Sequence, residues 1–350
     1  MPLPDTQFDI AFIRTLFMQP IIKALNKHYG LTLSDCTIPL SVFDGPMTLI
    51  PFVDVNTLLE DIETQVDDPA YLATLAPDLT FEHLEGGLGQ WFLATPDLSL
   101  SFRRINYGTS CLQSGATFYG QQSGNIIKWC YNNHFARGRG RLHDSLRMAI
   151  MFTNALRYFM GQHYVPLNVE ISGPPCGYQN GSDAGQFEAF FGCSITWNAP
   201  QTKVWLDISI LEHANTHPFQ YNRPMMLSNL EMDEFLNMPQ PHDTAKVFYE
   251  LINYSRYYGY PQLDFLAERL QLSRQQLQRR LHHLGWSFTA ITNYVLCNQA
   301  IKYMQIDMPI KDIATALGYA NSQSFSKAFQ RQRGQTPAQY KENLLERSRG

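Results

Sequence analysis

The sequence predicts an α+β N-terminal domain followed by an all-α domain with two helix-turn-helix motifs joined by a linker helix. Three observations carry that expectation. A length of 350 residues exceeds the usual single core and points to about two domains. The stretch Asn237-Met238-Pro239-Gln240-Pro241 reads as a linker. Downstream of it one apolar pattern of helical spacing occurs twice, whereas upstream helical and alternating stretches are mixed. The expected boundaries are 1–236 for the first domain, 237–243 for the linker and 244–350 for the second.

In the first domain, Asp9 to Tyr29 reads as a helix, with Phe12, Leu16, Phe17, Ile21 and Ile22 at spacings of three to four and Pro20 expected to kink or end it. Leu88 to Tyr107 and Gly115 to Tyr131 alternate as strands do, rich in Phe, Trp, Tyr and Ile, with Ser123-Gly124-Asn125 as a turn. Leu142 to Tyr164 is again helical. Short strands are expected near Leu167 to Ser172, Ser194 to Trp197 and Lys203 to Ile208, with a helix around Asp183 to Phe191.

In the second domain, Phe265-Leu266-Ala267-Glu268-Arg269-Leu270-Gln271-Leu272-Ser273 aligns with Asp312-Ile313-Ala314-Thr315-Ala316-Leu317-Gly318-Tyr319-Ala320. Each copy runs apolar, Ala, two polar or small residues, Leu, turn, apolar. The small Ala lets two helices approach, and the turn residue ends the first of them. Gly318 suits that turn, while Gln271 must adopt a backbone conformation that a Cβ disfavours. The following helices start at Ser273, with Gln276 completing a capping box, and at Asn321. Leu277, Leu281 and Leu284 form the inward stripe of the first, leaving Arg274, Gln275, Gln278, Arg279 and His282 outward. In the second, Phe325, Ala328 and Phe329 point inward, and Ser322, Gln323, Ser326, Lys327 and Gln330 outward. Neither outward face carries an acidic residue.

A polar helix face is most simply a solvated one, but duplication favours a reading role. The equivalent alanines lie 47 residues apart, with a helix expected from Ser287 to Met304 between them. That helix is roughly 27 Å long at 1.5 Å per residue, comparable to the ~34 Å between successive major-groove faces of B-DNA.

Charge agrees with this division. The whole chain has a net charge of −4; residues 1–240 hold 13 Lys+Arg against 23 Asp+Glu, and residues 241–350 hold 14 against 8. A basic module beside an acidic one is the electrostatic footprint of a nucleic-acid binder. Hydrophobic residues at 44% and charged residues at 17% suit globular domains. No apolar run reaches the roughly 18 residues of a membrane span, and the start lacks a basic signal-peptide region, so a cytoplasmic protein without membrane partners is expected. The six cysteines, Cys36, Cys111, Cys130, Cys176, Cys193 and Cys297, contain no Cys-x-x-Cys pair and read as small hydrophobes.

Signals for catalysis are poor. The sequence lacks a His-Glu-x-x-His motif, a Gly-x-Ser-x-Gly elbow and a Walker loop, and Phe81-Glu82-His83-Leu84-Glu85 reads as a solvated turn rather than a metal site. No enzyme activity, cofactor or metal is expected. Arg137-Gly138-Arg139-Gly140-Arg141 offers forked donors, either as an exposed basic loop or as an anion site for an acidic effector. The aromatic strand region reads as core or as an apolar pocket wall for a fatty or aromatic ligand.

The tandem motif ends in Phe329-Gln330-Arg331-Gln332-Arg333-Gly334-Gln335-Thr336-Pro337-Ala338-Gln339-Tyr340. With Ala314 through Tyr319 before it, this resembles the signature of AraC/XylS-type transcriptional regulators, over about 100 residues from Thr244 to Leu345. The order of elements around Phe190-Phe191-Gly192-Cys193-Ser194-Ile195-Thr196-Trp197-Asn198-Ala199-Pro200 resembles the arabinose-binding-type N-terminal domain of longer members, whose label does not name a ligand. The resemblance implies a seven-helix DNA-binding domain reading promoter DNA through Arg274, Gln275, Gln278, Arg279, Asn321, Ser322, Gln323, Ser326 and Lys327. It also implies a homodimer, activation of transcription with RNA polymerase as partner, and control by a small effector or by dimerisation. Arg280 departs from the family, which usually places an apolar residue there.

Overall fold

The structure is a computed structural model and describes residues 7–32, 36–85, 87–175, 182–217 and 235–349. The chain divides into two compact units: residues 11–238 form one, and residues 239–350 together with 1–10 form the other.

The N-terminal unit opens with β1 (Phe12–Arg14), paired antiparallel with β2 (Leu49–Pro51). Between them α1 (Thr15–Tyr29) continues past Pro20, which is buried, as are Leu16, Phe17 and Ile21. The interior proline neither ends nor replaces the helix, because packing of that apolar face offsets the lost hydrogen bond. Helices α2 (Phe52–Val66) and α3 (Tyr71–Leu75) follow.

Residues 88–107, expected as strands, are helical instead: α4 (Leu88–Leu93) and α5 (Leu98–Leu112). The Asp97 side chain caps α5 by accepting from the Leu100 N–H at 2.8 Å. Buried Leu98, Ser101, Ile105 and Leu112 then recur at spacings of three, four and seven. The apparent alternation came from a short Ser-Leu-Ser-Phe window inside this longer period.

The sheet has the order β3-β4-β7-β5-β6. Its strands are β3 (Ala116–Ser123), β4 (Ile126–Asn133), β5 (Asn168–Glu170), β6 (Ile195–Thr196) and β7 (Thr202–Asp207). β3 and β4 form a hairpin around Gly124 and Asn125, and only the β5–β6 pair is parallel. The long helix α6 (Gly138–Met160) packs on the sheet, where buried Trp129 stacks on Phe152 at 4.2 Å and 9°. α7 (Ser182–Phe191) lies between β5 and β6 in the chain. Mixed strands and helices agree with the expected α+β class.

The C-terminal unit is helical: α8 (Thr244–Ser255), α9 (Leu263–Arg269), α10 (Arg274–His283), α11 (Phe288–Gln305), α12 (Ile310–Ala316), α13 (Ser322–Arg333) and α14 (Pro337–Arg349). α11, the expected linker helix, packs against α8, α12, α13 and α14. Residues 7–10 also belong to this unit. Phe8 is fully buried and stacks on Phe248 at 5.2 Å, and Phe248 in turn meets Trp286 and Phe288. The Arg280 guanidinium, which stands where an apolar residue was expected, donates to the Gln7 carbonyl at 2.9 Å.

Of the cysteines, Cys111, Cys130 and Cys297 are buried and Cys36 and Cys193 half-buried; Cys176 lies outside the described residues. No helix among the described residues is long and apolar enough to cross a membrane.

Candidate nucleic-acid interface

The two turns are built alike. In the first, the Gln271 N–H donates to Glu268 O and the Leu272 N–H to Ala267 O, both at 2.9 Å. In the second, the Gly318 N–H donates to Thr315 O and the Tyr319 N–H to Ala314 O, both at 3.0 Å. Each turn residue has positive φ, +55° at Gln271 and +77° at Gly318. The sequence repeat is thus a repeat of backbone geometry. Glycine at 318 answers a second demand that the motif did not reveal: a Cβ there would stand 2.3–2.5 Å from the backbone of Gly259 and Tyr260.

Each turn aims a helix whose inner face is anchored. On α10, Leu277 and Leu281 are buried, and Ser273 and Gln276 form the expected capping box, with bonds of 2.7 and 3.2 Å. Arg274, Gln275, Gln278 and Arg279 are exposed. Arg274 Nη1 rests 2.5 Å from Asp264 Oδ2. Both partners are more than half exposed, and such a pair contributes only about 0–1 kcal/mol, so a phosphate can replace the carboxylate.

On α13, Phe325 and Phe329 are buried. Gln323 and Lys327 are exposed, and Ser322 and Ser326 are half-buried. The Asn321 side-chain oxygen accepts from the Ser324 N–H at 2.8 Å, so it is spent on capping and only the amide nitrogen remains to donate outward. The side chains of Gln275, Gln278, Arg279, Gln323 and Lys327 make no hydrogen bond or ion pair among the described residues. Amides and cations held on anchored helices without internal partners suit base edges and phosphates.

A residue outside both motifs ties the two halves together. Arg256, 7% exposed, follows α8 and donates to Asn253 Oδ1 (2.9 Å), the Tyr303 hydroxyl of α11 (2.7 Å), the Tyr257 hydroxyl (2.8 Å) and Ala316 O at the end of α12 (3.1 Å). Nearby, Tyr260 meets Tyr319 at 5.2 Å. The segment between α8 and α9 is therefore interlocked with the turn that aims α13. The run Tyr254-Ser255-Arg256-Tyr257-Tyr258-Gly259-Tyr260 was its only trace in the sequence. On the far side, Arg333 of α13 donates to Asn298 Oδ1 of α11 at 2.7 Å. Thr336 and Gln339 cap α14 reciprocally.

In the N-terminal unit the arginines at 137, 139 and 141 face separate partners. Arg137 Nη1 donates to His134 O (2.6 Å), and Arg141 donates to Ser172 Oγ (2.7 Å) and Pro200 O (3.1 Å). The Nε–Nη2 edge of Arg139 is taken by Glu63, which also bonds buried His143. Burial opposes ionisation of Glu63, but His143 and Arg139 outweigh it and hold the carboxyl down at about 2. Among the described residues no cluster of His, Cys, Asp and Glu could hold a metal ion.

Comparison with known proteins agrees with this geometry. A helix-turn-helix domain model matches residues 266–343, and a model of the N-terminal arabinose-binding domain of AraC transcription regulators matches residues 32–215, over half of the chain. The ornithine utilization regulator of Pseudomonas aeruginosa is 31% identical over 84 residues, which is 24% of this chain and 25% of that protein. The matched stretch thus spans a quarter of that relative's length. Regulatory protein SoxS of Escherichia coli K12 is 31% identical over 86 residues, 23% of this chain and 78% of its own. The crystal structure of the transcriptional regulator CdpR from Pseudomonas aeruginosa aligns with 93% of this chain and 98% of its own at 15% identity, with a TM-score of 0.40, too low to carry an argument.

Proposed function

The chain belongs to the AraC family of transcription regulators, and from that premise we propose that it binds promoter DNA with α10 and α13 in successive major grooves. The observation that carries this reading is the repeated turn, which holds two helices with uncommitted outward donors. Arg279, Gln275, Gln278 and Gln323 read base edges, the arginine suited to guanine and the glutamines to adenine. Arg274, Lys327 and Ser326 anchor phosphates, while Ser322 and the Asn321 amide nitrogen add short donors at the mouth of α13. The residues of the first unit sense a small effector or dimerise the chain, and the regulator acts in the cytoplasm as a homodimer. Activation with RNA polymerase as partner rests on family analogy alone.

Mobility shifts of the full chain on a selected operator and on random duplex test this reading. Gln323→Ala is expected to weaken operator binding by about 1–3 kcal/mol and leave random duplex unchanged. Lys327→Ala is expected to weaken both and to lower the salt slope by about 0.9. Equal loss on both duplexes for Gln323→Ala, together with an unchanged slope for Lys327→Ala, rejects α13 as a reading helix.

A further inference from the structure

Within the N-terminal unit a cavity of ≈ 260 Å³ opens between the segment after α3 and the C-terminal half of α6, with Phe81, Leu93, Asn154, Ala155, Arg157 and Phe190 in its wall and the exposed Glu82 also lining it. That volume falls just below the roughly 300–1,000 Å³ of drug-sized sites and suits a small metabolite. Asn154 braces the wall by donating to Ala76 O (2.7 Å) and Leu79 O (3.0 Å).

Arg157 is what distinguishes this cavity from a packing gap. Its Nε donates to Tyr164 O at 3.1 Å and its Nη2 to Phe190 O at 2.6 Å, and the guanidinium lies over the Phe190 ring, 4.6 Å from its centroid. Among the described residues Nη1 has no hydrogen-bond partner and no carboxylate pairs with the group. Lys23, Lys27, Arg139, Arg147 and Lys203 of the same unit each contact a carboxylate, whereas Arg104, Arg137 and Arg141, like Arg157, contact none among the described residues; of these four, Arg157 is the one that lines the cavity. Burial pushes the Arg157 pKa down. A partly desolvated cation without an ion-pair contact is costly, and a guanidinium with Nη1 open is shaped for a carboxylate.

We propose that this cavity is the effector site and that it takes a small monocarboxylate, its head on the Nη1 edge of Arg157 and its apolar body against Phe81, Leu93 and Phe190. The assignment rests on the effector-sensing reading of the N-terminal unit. It moves the anion-binding role away from Arg137, Arg139 and Arg141: Arg139 is already paired with Glu63, and Arg137 and Arg141 do not line this cavity.

The test uses the full chain with butanoate, hexanoate, 4-aminobutanoate and benzoate, each against its primary amide, read by calorimetry and by operator affinity. At least one acid is expected to bind below about 10 mM and at least tenfold more tightly than its amide, a difference of about 1.4 kcal/mol. Arg157→Met is expected to lose that preference. Ala155→Leu, which fills the cavity and keeps the arginine, is expected to lose binding with its unfolding temperature retained, so the proposal does not depend on Arg157→Met folding. Failure of all four acids to bind, or equal binding by Ala155→Leu, overturns the site. Operator binding in the wild type without any acid leaves the DNA-binding reading standing in that case. An acid that binds here without changing operator affinity overturns the effector role.

Discussion

Positions 271 and 318 are the same place in two copies of one turn, and opposite substitutions there should have opposite effects. At Gly318, alanine must hold φ near +77°, which costs an L residue about 1–2 kcal/mol. Its Cβ also meets backbone atoms of Gly259 and Tyr260 at 2.3–2.5 Å, which cannot rotate aside as a side chain would, and such overpacking costs about 1–3 kcal/mol. Gly318→Ala should therefore destabilise the second motif by about 2–5 kcal/mol. At Gln271, glycine relieves about 1–2 kcal/mol of strain at φ near +55° but frees the unfolded chain by about 0.4–1 kcal/mol, so Gln271→Gly should be neutral or stabilise by up to about 1.5 kcal/mol. The chain has two units, so one global unfolding transition is the wrong measure. Amide exchange in α9 and α10, and in α12 and α13, reports each motif separately. If Gly318→Ala leaves α12 and α13 protection unchanged, or if Gln271→Gly loosens its motif as much, the account of the turns is wrong.

Other outcomes follow from contacts in each unit. Arg256→Met should reduce binding to a duplex carrying both half-motifs by roughly tenfold or more, about 1.4 kcal/mol, while binding to a single half-motif changes little; equal losses on the two duplexes would assign Arg256 a purely local role. Phe8→Ala should destabilise the C-terminal unit by about 3–5 kcal/mol, read as lost amide protection in α8, because the ring is fully buried on Phe248. The Glu63 carboxyl is held below its unfolded value, so its contribution to stability is complete above about pH 4.5 and is lost as pH falls toward about 2. Acid unfolding of the N-terminal unit should accordingly lose part of its pH dependence in that window in Glu63→Gln; an unchanged profile would show that His143 and Arg139 do not matter there.

Local chemistry was legible in the sequence. Ser273 with Gln276, and Asn321, cap the helices they were expected to cap, because capping is settled within four residues. The positive φ at Gln271 and Gly318 was legible from the repeat for the same reason. Pro20 does not end α1, because the interior packing that keeps the helix intact is tertiary. Leu88 to Tyr107 was misread because a few alternating residues hid the longer period that Asp97 starts. Phe8 with Phe248, and Arg256 with Ala316, were not legible, since 240 and 60 positions separate the partners and neither pair belongs to a motif. The arginines at 137, 139 and 141 were visible as charges, but Glu63, Ser172 and Pro200 lie far along the chain.

The central claim is that one chain presents two reading helices to successive major grooves. Hydroxyl-radical footprinting and missing-base interference with the full chain on a DNA site selected from a random pool address it directly. Two patches of major-groove interference about one helical turn apart, roughly 10–10.5 base pairs, are expected for each bound chain, with the patch read by α13 weakened by Gln323→Ala. A single patch per chain, or interference confined to phosphates with no preferred sequence, would contradict it.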